Sequence, residues 1–169
     1  MIIGDSTQFA IEYVIQDWVD DIWVFGHFRF WLGGHTVGDW EDSASLRGCV
    51  SWIRDFIDTD EQRFAPMLTG KSKEEVFHML YDSVMDPTLS DQSVSIEDSS
   101  DIYRRYHISH LGMSSFNRIG LLLIETPECQ WVIWHETGDP NIYEVKLPVG
   151  EMQRIGEAFC QWFQKFDNN

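Results

Sequence analysis

Positive charge is what this sequence has least of. Lys and Arg number 12 among 169 residues, against 28 Asp and Glu, so the formal net charge is −16 and the isoelectric point lies near 4.5. Such a chain repels nucleic acid phosphates and anionic membranes and attracts basic partners at long range. Long apolar runs are missing too: none approaches the roughly 20 residues that span a bilayer. The opening stretch, Met1-Ile2-Ile3-Gly4-Asp5, has neither the basic flank nor the apolar core of a secretory signal. Cysteine is scarce and odd in number. Cys49, Cys129 and Cys160 are far apart and sit in apolar segments, which argues against a disulfide framework or a zinc site and for reduced, buried thiols in a cytoplasmic protein.

Catalytic signatures are equally thin. No two of the six histidines show the i, i+4 helical spacing of a zinc protease, and His107 and His110 fall on opposite faces of one expected strand. Gly33-Gly34 leads into another strand, so it is not a phosphate loop. No serine sits in a nucleophile elbow. Asp139-Pro140 followed by Glu144-Val145-Lys146 comes nearest to a restriction-type nuclease motif, with Glu144 and Lys146 on one strand face. The spacing from Asp139 is too short, and the net charge opposes a polyanionic substrate. No catalytic residue, cofactor or metal is expected.

What is present suffices for a core: 43% of residues are hydrophobic and 14% aromatic. Period-two patterning predicts a strand over 9–15, a longer two-sided apolar run predicts another over 22–32, and Gly33-Gly34 joins that to a third over 35–39, hence a three-stranded meander. Leu46, Cys49, Val50, Ile53, Phe56 and Ile57 recur at helical spacing after a cap at Ser43 or Ser45, and Ser72-Lys73-Glu74-Glu75 is a capping box opening a second helix that Asp86-Pro87 stops. Strands follow over 103–109, 119–125, 130–135 and 142–147, then a helix over 151–166. The pattern is α+β: an antiparallel sheet with about three amphipathic helices, in one domain over 1–169. An acidic, serine-rich loop is expected at about 86–101.

Two tryptophans stand among acids: Trp18 with Asp17, Asp20 and Asp21, and Trp40 with Glu41 and Asp42. In the meander Trp40 would face His27, and Trp18 would lie beyond Ile22, about five residues or 17 Å further along. An aromatic anchor ringed by charge suits a steered, tight protein interface. The other reading is that each ring folds back on the sheet while the acids blunt its edge. The loop acids Asp91, Glu97, Asp98 and Asp101 form an alternative patch.

Several segments carry a resemblance: Gly4-Asp5 before Phe9-Ala10-Ile11-Glu12-Tyr13, then Phe25-Gly26-His27-Phe28-Arg29-Phe30-Trp31-Leu32-Gly33-Gly34, then Val37-Gly38-Asp39 and Ser45-Leu46. Arg63-Phe64, Glu75-Val76-Phe77, Tyr106-His107-Ile108 and Trp131-Val132-Ile133-Trp134 add to it. The chain resembles immunity protein family 42 of bacterial polymorphic toxin systems, including contact-dependent inhibition loci. The resemblance implies a protein that is not an enzyme and that binds a cognate toxin C-terminal domain, expected to be basic and a nuclease. Nucleic acid and membrane are not expected partners. The competing function is an acidic adaptor or regulatory module unrelated to toxins, which a neighbouring toxin gene would distinguish.

Overall fold

The computed structural model describes residues 1–19, 23–59, 63–82, 105–109 and 114–167. The meander is there, as β2 (Phe9–Val19), β3 (Trp23–Leu32) and β4 (His35–Val37), all antiparallel neighbours. Gly33 and Gly34 take φ of 56° and 85°, positive at both positions as a tight primed turn requires. Two short strands go beyond the expectation: β1 (Ile2–Gly4) pairs with β2, and β5 (Ala44–Ser45) pairs with β3 beside β4. Along β3 burial alternates strictly. Val24, Gly26, Phe28, Phe30 and Leu32 face the core, and Trp23, Phe25, His27, Arg29 and Trp31 face outward. The β2–β3 register shifts between Ile15 and Asp17. Gly26 stands opposite Ile15, where a Cβ would lie 2.0 Å from the Val14 carbonyl oxygen, so only glycine admits this approach.

Helix α1 (Leu46–Asp58) starts at Ser45, whose hydroxyl accepts from the Gly48 amide at 3.3 Å, and buries Leu46, Cys49, Val50, Ile53 and Phe56. Beyond its end, buried Arg63 donates to the Phe56 carbonyl at 2.6 Å and covers the Phe56 ring. Helix α2 (Lys73–Phe77) forms the Ser72/Glu75 capping box, and one π-helical turn, His78–Asp82, continues it. Helix α3 (Glu151–Asp167) lays Met152, Ile155, Phe159, Cys160 and Phe163 into the core. Phe159 meets Tyr13 and Phe28 edge-on at 5.2 and 5.6 Å, which fixes α3 against the inner face of the first sheet.

The later strands form a separate three-stranded antiparallel sheet: β6 (Ile119–Glu125), β7 (Gln130–Glu136) and β8 (Ile142–Leu147). Its two faces serve two hydrophobic clusters. Leu121, Leu123, Val132, Trp134 and Leu147 join the core of the first sheet, α1 and α3. Leu122, Ile124, Trp131 and Ile133 pack with Ala65, Leu68, Val76, Phe77, Leu80 and Tyr106. Of the strand expected over 103–109, the described residues 105–109 form none: Arg105–Tyr106 is helical, and His107 makes one isolated antiparallel bridge to Leu122. The acidic loop expected at 86–101 lies outside the described residues. No described helix is long and apolar enough to cross a membrane.

Gln130, fully buried, joins the second sheet to α3. Its side-chain oxygen accepts from the Met152 amide at 2.8 Å, capping α3, and its amide donates to Glu125 at 2.7 Å and to Gln153. Gln130→Ala should therefore cost about 2–4 kcal/mol in urea unfolding, because it strips donors from a buried carboxylate and orphans a helix amide. A loss below about 1 kcal/mol would show that the network is dispensable. All three cysteines are free, and burial pushes the thiols of Cys49 and Cys160 up. Cys129 departs from the expectation of burial, being only partly covered. In native protein an alkylating reagent should modify Cys129 first, and Cys49 and Cys160 only on unfolding.

Candidate functional site

The outward face of the first sheet is a strip of aromatic and charged side chains. Val14 is 41% exposed and Trp23 is 51% exposed, both large for apolar groups on a sheet face. Trp23 and Phe25 stack at 6.1 Å. Farther along, Glu12 of β2 gathers two donors from β3: Arg29 Nε at 2.7 Å and Trp31 Nε1 at 2.8 Å, both on Oε2. Glu12 and Arg29 are directly opposed in the register, so the pair is set by the strands and not by loop geometry.

Between β4 and β5 the chain leaves the edge of β3 for residues 38–43 and lays Trp40 on this face. The Trp40 ring stacks on His27 at 5.2 Å, and the Arg29 guanidinium lies 4.5 Å from its centre. His27 Nδ1 donates to the Asp42 carbonyl at 3.3 Å, which leaves Nε2 to accept from the Gln16 amide. Asp39 Oδ1 accepts from the Glu41 amide at 2.9 Å, and Asp42 accepts from the Ser114 hydroxyl at 2.6 Å. These bonds make the excursion a built feature that holds a half-buried tryptophan against the sheet, with the acids beside it.

The residues singled out from sequence fall as follows. Trp40, Glu41 and Asp42 come together on the excursion, and Trp40 does meet His27 although β4 ends at Val37. Asp17 and Trp18 belong to β2, paired with Phe25 and Val24. Val24 is three residues from His27, so the backbone at Trp18 is about 10 Å along the strand from the Trp40 site, nearer than the 17 Å expected from sequence. Asp20, Asp21, Asp91, Glu97, Asp98 and Asp101 lie outside the described residues. Sequence reading passed over Glu12, Trp23, Phe25, Arg29 and Trp31. The signal was available: polar or amphipathic residues alternate with apolar ones through 23–32, but so many are aromatic that the run reads as apolar on both sides.

The residues of the nuclease-like spacing have other employment. Asp139 accepts from the Asn141 amide and the Tyr143 hydroxyl, both at 2.8 Å, and these bonds hold its carboxyl below the ordinary range. Glu144 and Lys146 share a face of β8, as expected, and grip buried Trp131: Glu144 accepts from its Nε1 at 2.7 Å and Lys146 Nζ lies 5.2 Å from its ring centre. Among the described residues no group of three or more His, Cys, Asp or Glu is placed to hold a metal ion.

A family model described as immunity protein 42 matches residues 1–162. The fold is similar to that in the crystal structure of CdiI from Burkholderia dolosa AUO158, with a TM-score of 0.67 and 18% identity, over 94% of this chain and 97% of that one. No curated protein matches the chain.

Titration of the Glu12 cluster offers a check on the site's geometry. Burial by itself would raise the Glu12 carboxyl, but the hydrogen bonds from Arg29 and Trp31 and the charge of the guanidinium together outweigh it and hold the carboxyl below its ordinary value of 4.5. A carboxyl depressed on folding stabilises above its unfolded value, and that contribution fades as pH falls through the folded one. Wild type should thus exceed Glu12→Gln in stability at pH 7, by about 1 kcal/mol for a partly exposed pair, with the gap closing below pH 4.5. A gap that stays constant with pH would mean that Glu12 acts by packing alone.

Proposed function

Because the chain belongs to the immunity protein 42 family, we propose that it protects the cell that makes it by binding one cognate toxin domain and covering it, without catalysis. The family match over residues 1–162 carries this reading. The toxin is a basic domain, most simply a nuclease, since an enzyme that holds a polyanion presents positive charge and this chain offers −16. Its delivery is by contact-dependent inhibition or a related polymorphic toxin system, and the protein acts in the cytoplasm, where such a target would be met.

The binding surface we assign is built on Trp40, Glu41 and Asp42 and extended by Trp23 and Phe25 on the outward face of the first sheet; Asp17, Trp18, Asp20 and Asp21 are the further contacts proposed from sequence. Aromatic side chains supply area that loses little entropy on contact, and clustered acids steer a basic partner during approach. The acids Asp91, Glu97, Asp98 and Asp101 are the alternative patch.

The test is kinetic, on the complex with the C-terminal domain of the neighbouring toxin gene. Association should slow several-fold as salt rises, because steering is screened beyond a Debye length of ~8 Å at physiological strength. Charge reversal at Asp20 and Asp21 should slow association, and Trp40→Ala should mainly speed dissociation, by about 2 kcal/mol or roughly 30-fold. Unchanged kinetics and full protection of cells by both variants, with loss on reversal of the loop acids, would move the interface to the loop. Absence of any complex would end the toxin reading.

A further inference from the structure

A cavity of about 340 Å³ opens beside Trp40, between the edge of the first sheet and the start of the second. Thr36, Asp39 and Trp40 line it from one side, and Ser115, Arg118 and Glu136 from the other. At roughly 30 Å³ per water it holds far more than one or two solvent molecules. Its walls are tied together across 76 residues of sequence: the Asp39 amide donates to the Ser115 carbonyl at 3.2 Å, and the Ser114 hydroxyl donates to Asp42 at 2.6 Å.

Three features of the lining point to one kind of occupant. Two carboxylates, Asp39 and Glu136, stand against a single guanidinium, and Arg118 directs Nη2 to the Thr137 carbonyl at 2.9 Å in the β7–β8 turn. Trp40 supplies an aromatic wall, the surface on which a flat cation rests. Ser115 is 6% exposed and its Oγ has no hydrogen-bond partner among the described residues, an uncommon state for a buried hydroxyl. A group that carries positive charge, is planar, and offers several N–H donors at once satisfies all three.

We propose that this cavity receives an arginine side chain of the partner, with Asp39 and Glu136 accepting from the guanidinium, Trp40 flanking it, and the Ser115 hydroxyl, sealed from solvent in the free chain, turning to accept from it on binding. The inference rests on the reading of the protein as a toxin-binding module, and names the side-chain chemistry that module selects. It adds positional specificity to a surface whose overall acidity would otherwise attract any basic protein.

The test uses the isolated chain, labelled with nitrogen-15, and N-acetylarginine amide as the probe. Saturable shifts are expected at the Trp40 indole and the Ser115 and Arg118 amides, weaker binding of N-acetyllysine amide, and none of inorganic phosphate. Asp39→Asn and Glu136→Gln should each weaken arginine binding at least fivefold. Glu136→Gln keeps the test valid if Asp39→Asn loosens the excursion. No saturable shift at these residues, or a shift produced by phosphate in place of arginine, overturns the proposal. Protection of cells by a chain that fails to bind the probe would remove the cavity and leave toxin neutralisation standing, whereas probe binding without any toxin complex would do the reverse.

Discussion

A strand without a polar side needs cover on both faces, and β6 is buried at all seven of its residues. Each fully buried leucine or isoleucine there represents about 1.5–3 kcal/mol that is realised only if water is excluded on its own side. The architecture follows from that demand. The first sheet, α1 and α3 close over Leu121 and Leu123, while α2 and the stretch around Ala65 and Leu68 close over Leu122 and Ile124. Gln130 and Glu125 are the polar cost of this arrangement, and they are met by bonding to each other and to the first turn of α3.

The same demand explains what was legible in the sequence. The meander, the caps at Ser45 and Ser72, and α3 rest on local rules of period, turn chemistry and capping, and they stand where those rules put them. Division of the strands into two sheets is a matter of which distant surfaces meet, and period alone carries no such information. The segment over 103–109 alternates plausibly, yet on the edge of β6 away from β7 its described residues make only the His107 bridge to Leu122 and the Ile108 amide bond to Leu121, and the Phe64–Ala65 stretch takes the far end of that edge at Glu125. Cys129 lies in an aromatic stretch but falls at the β6–β7 turn, where cover is incomplete.

The candidate site was half visible. Trp40 opposite His27 came from counting residues back from the Gly33-Gly34 turn, and the ring contact agrees even though the strand pairing stops three residues earlier. Glu12, Arg29 and Trp31 were hidden because their alliance needs the β2–β3 register, and a bulge near Ile15 shifts everything past it by one residue. The Trp18 position lies closer to Trp40 than counting allowed because β2 runs on to Val19 and pairs Trp18 with Val24, where counting had placed it beyond Ile22.

Strict alternation along β3 divides one strand between two masters. Five residues answer to the core; of the five between them, His27, Arg29 and Trp31 are held by Gln16, Asp42, Glu12 and Trp40, while Trp23 and Phe25 face outward and stack on each other. Exchanging Trp23 or Phe25 opens no hole among Val24, Phe28 and Phe30, so the fold tolerates it. Single substitutions can thus redraw this end of the face while the fold is kept. Freedom to vary therefore belongs to Trp23 and Phe25, and not to His27, Arg29 and Trp31 on the same face, whose partners lie within the chain.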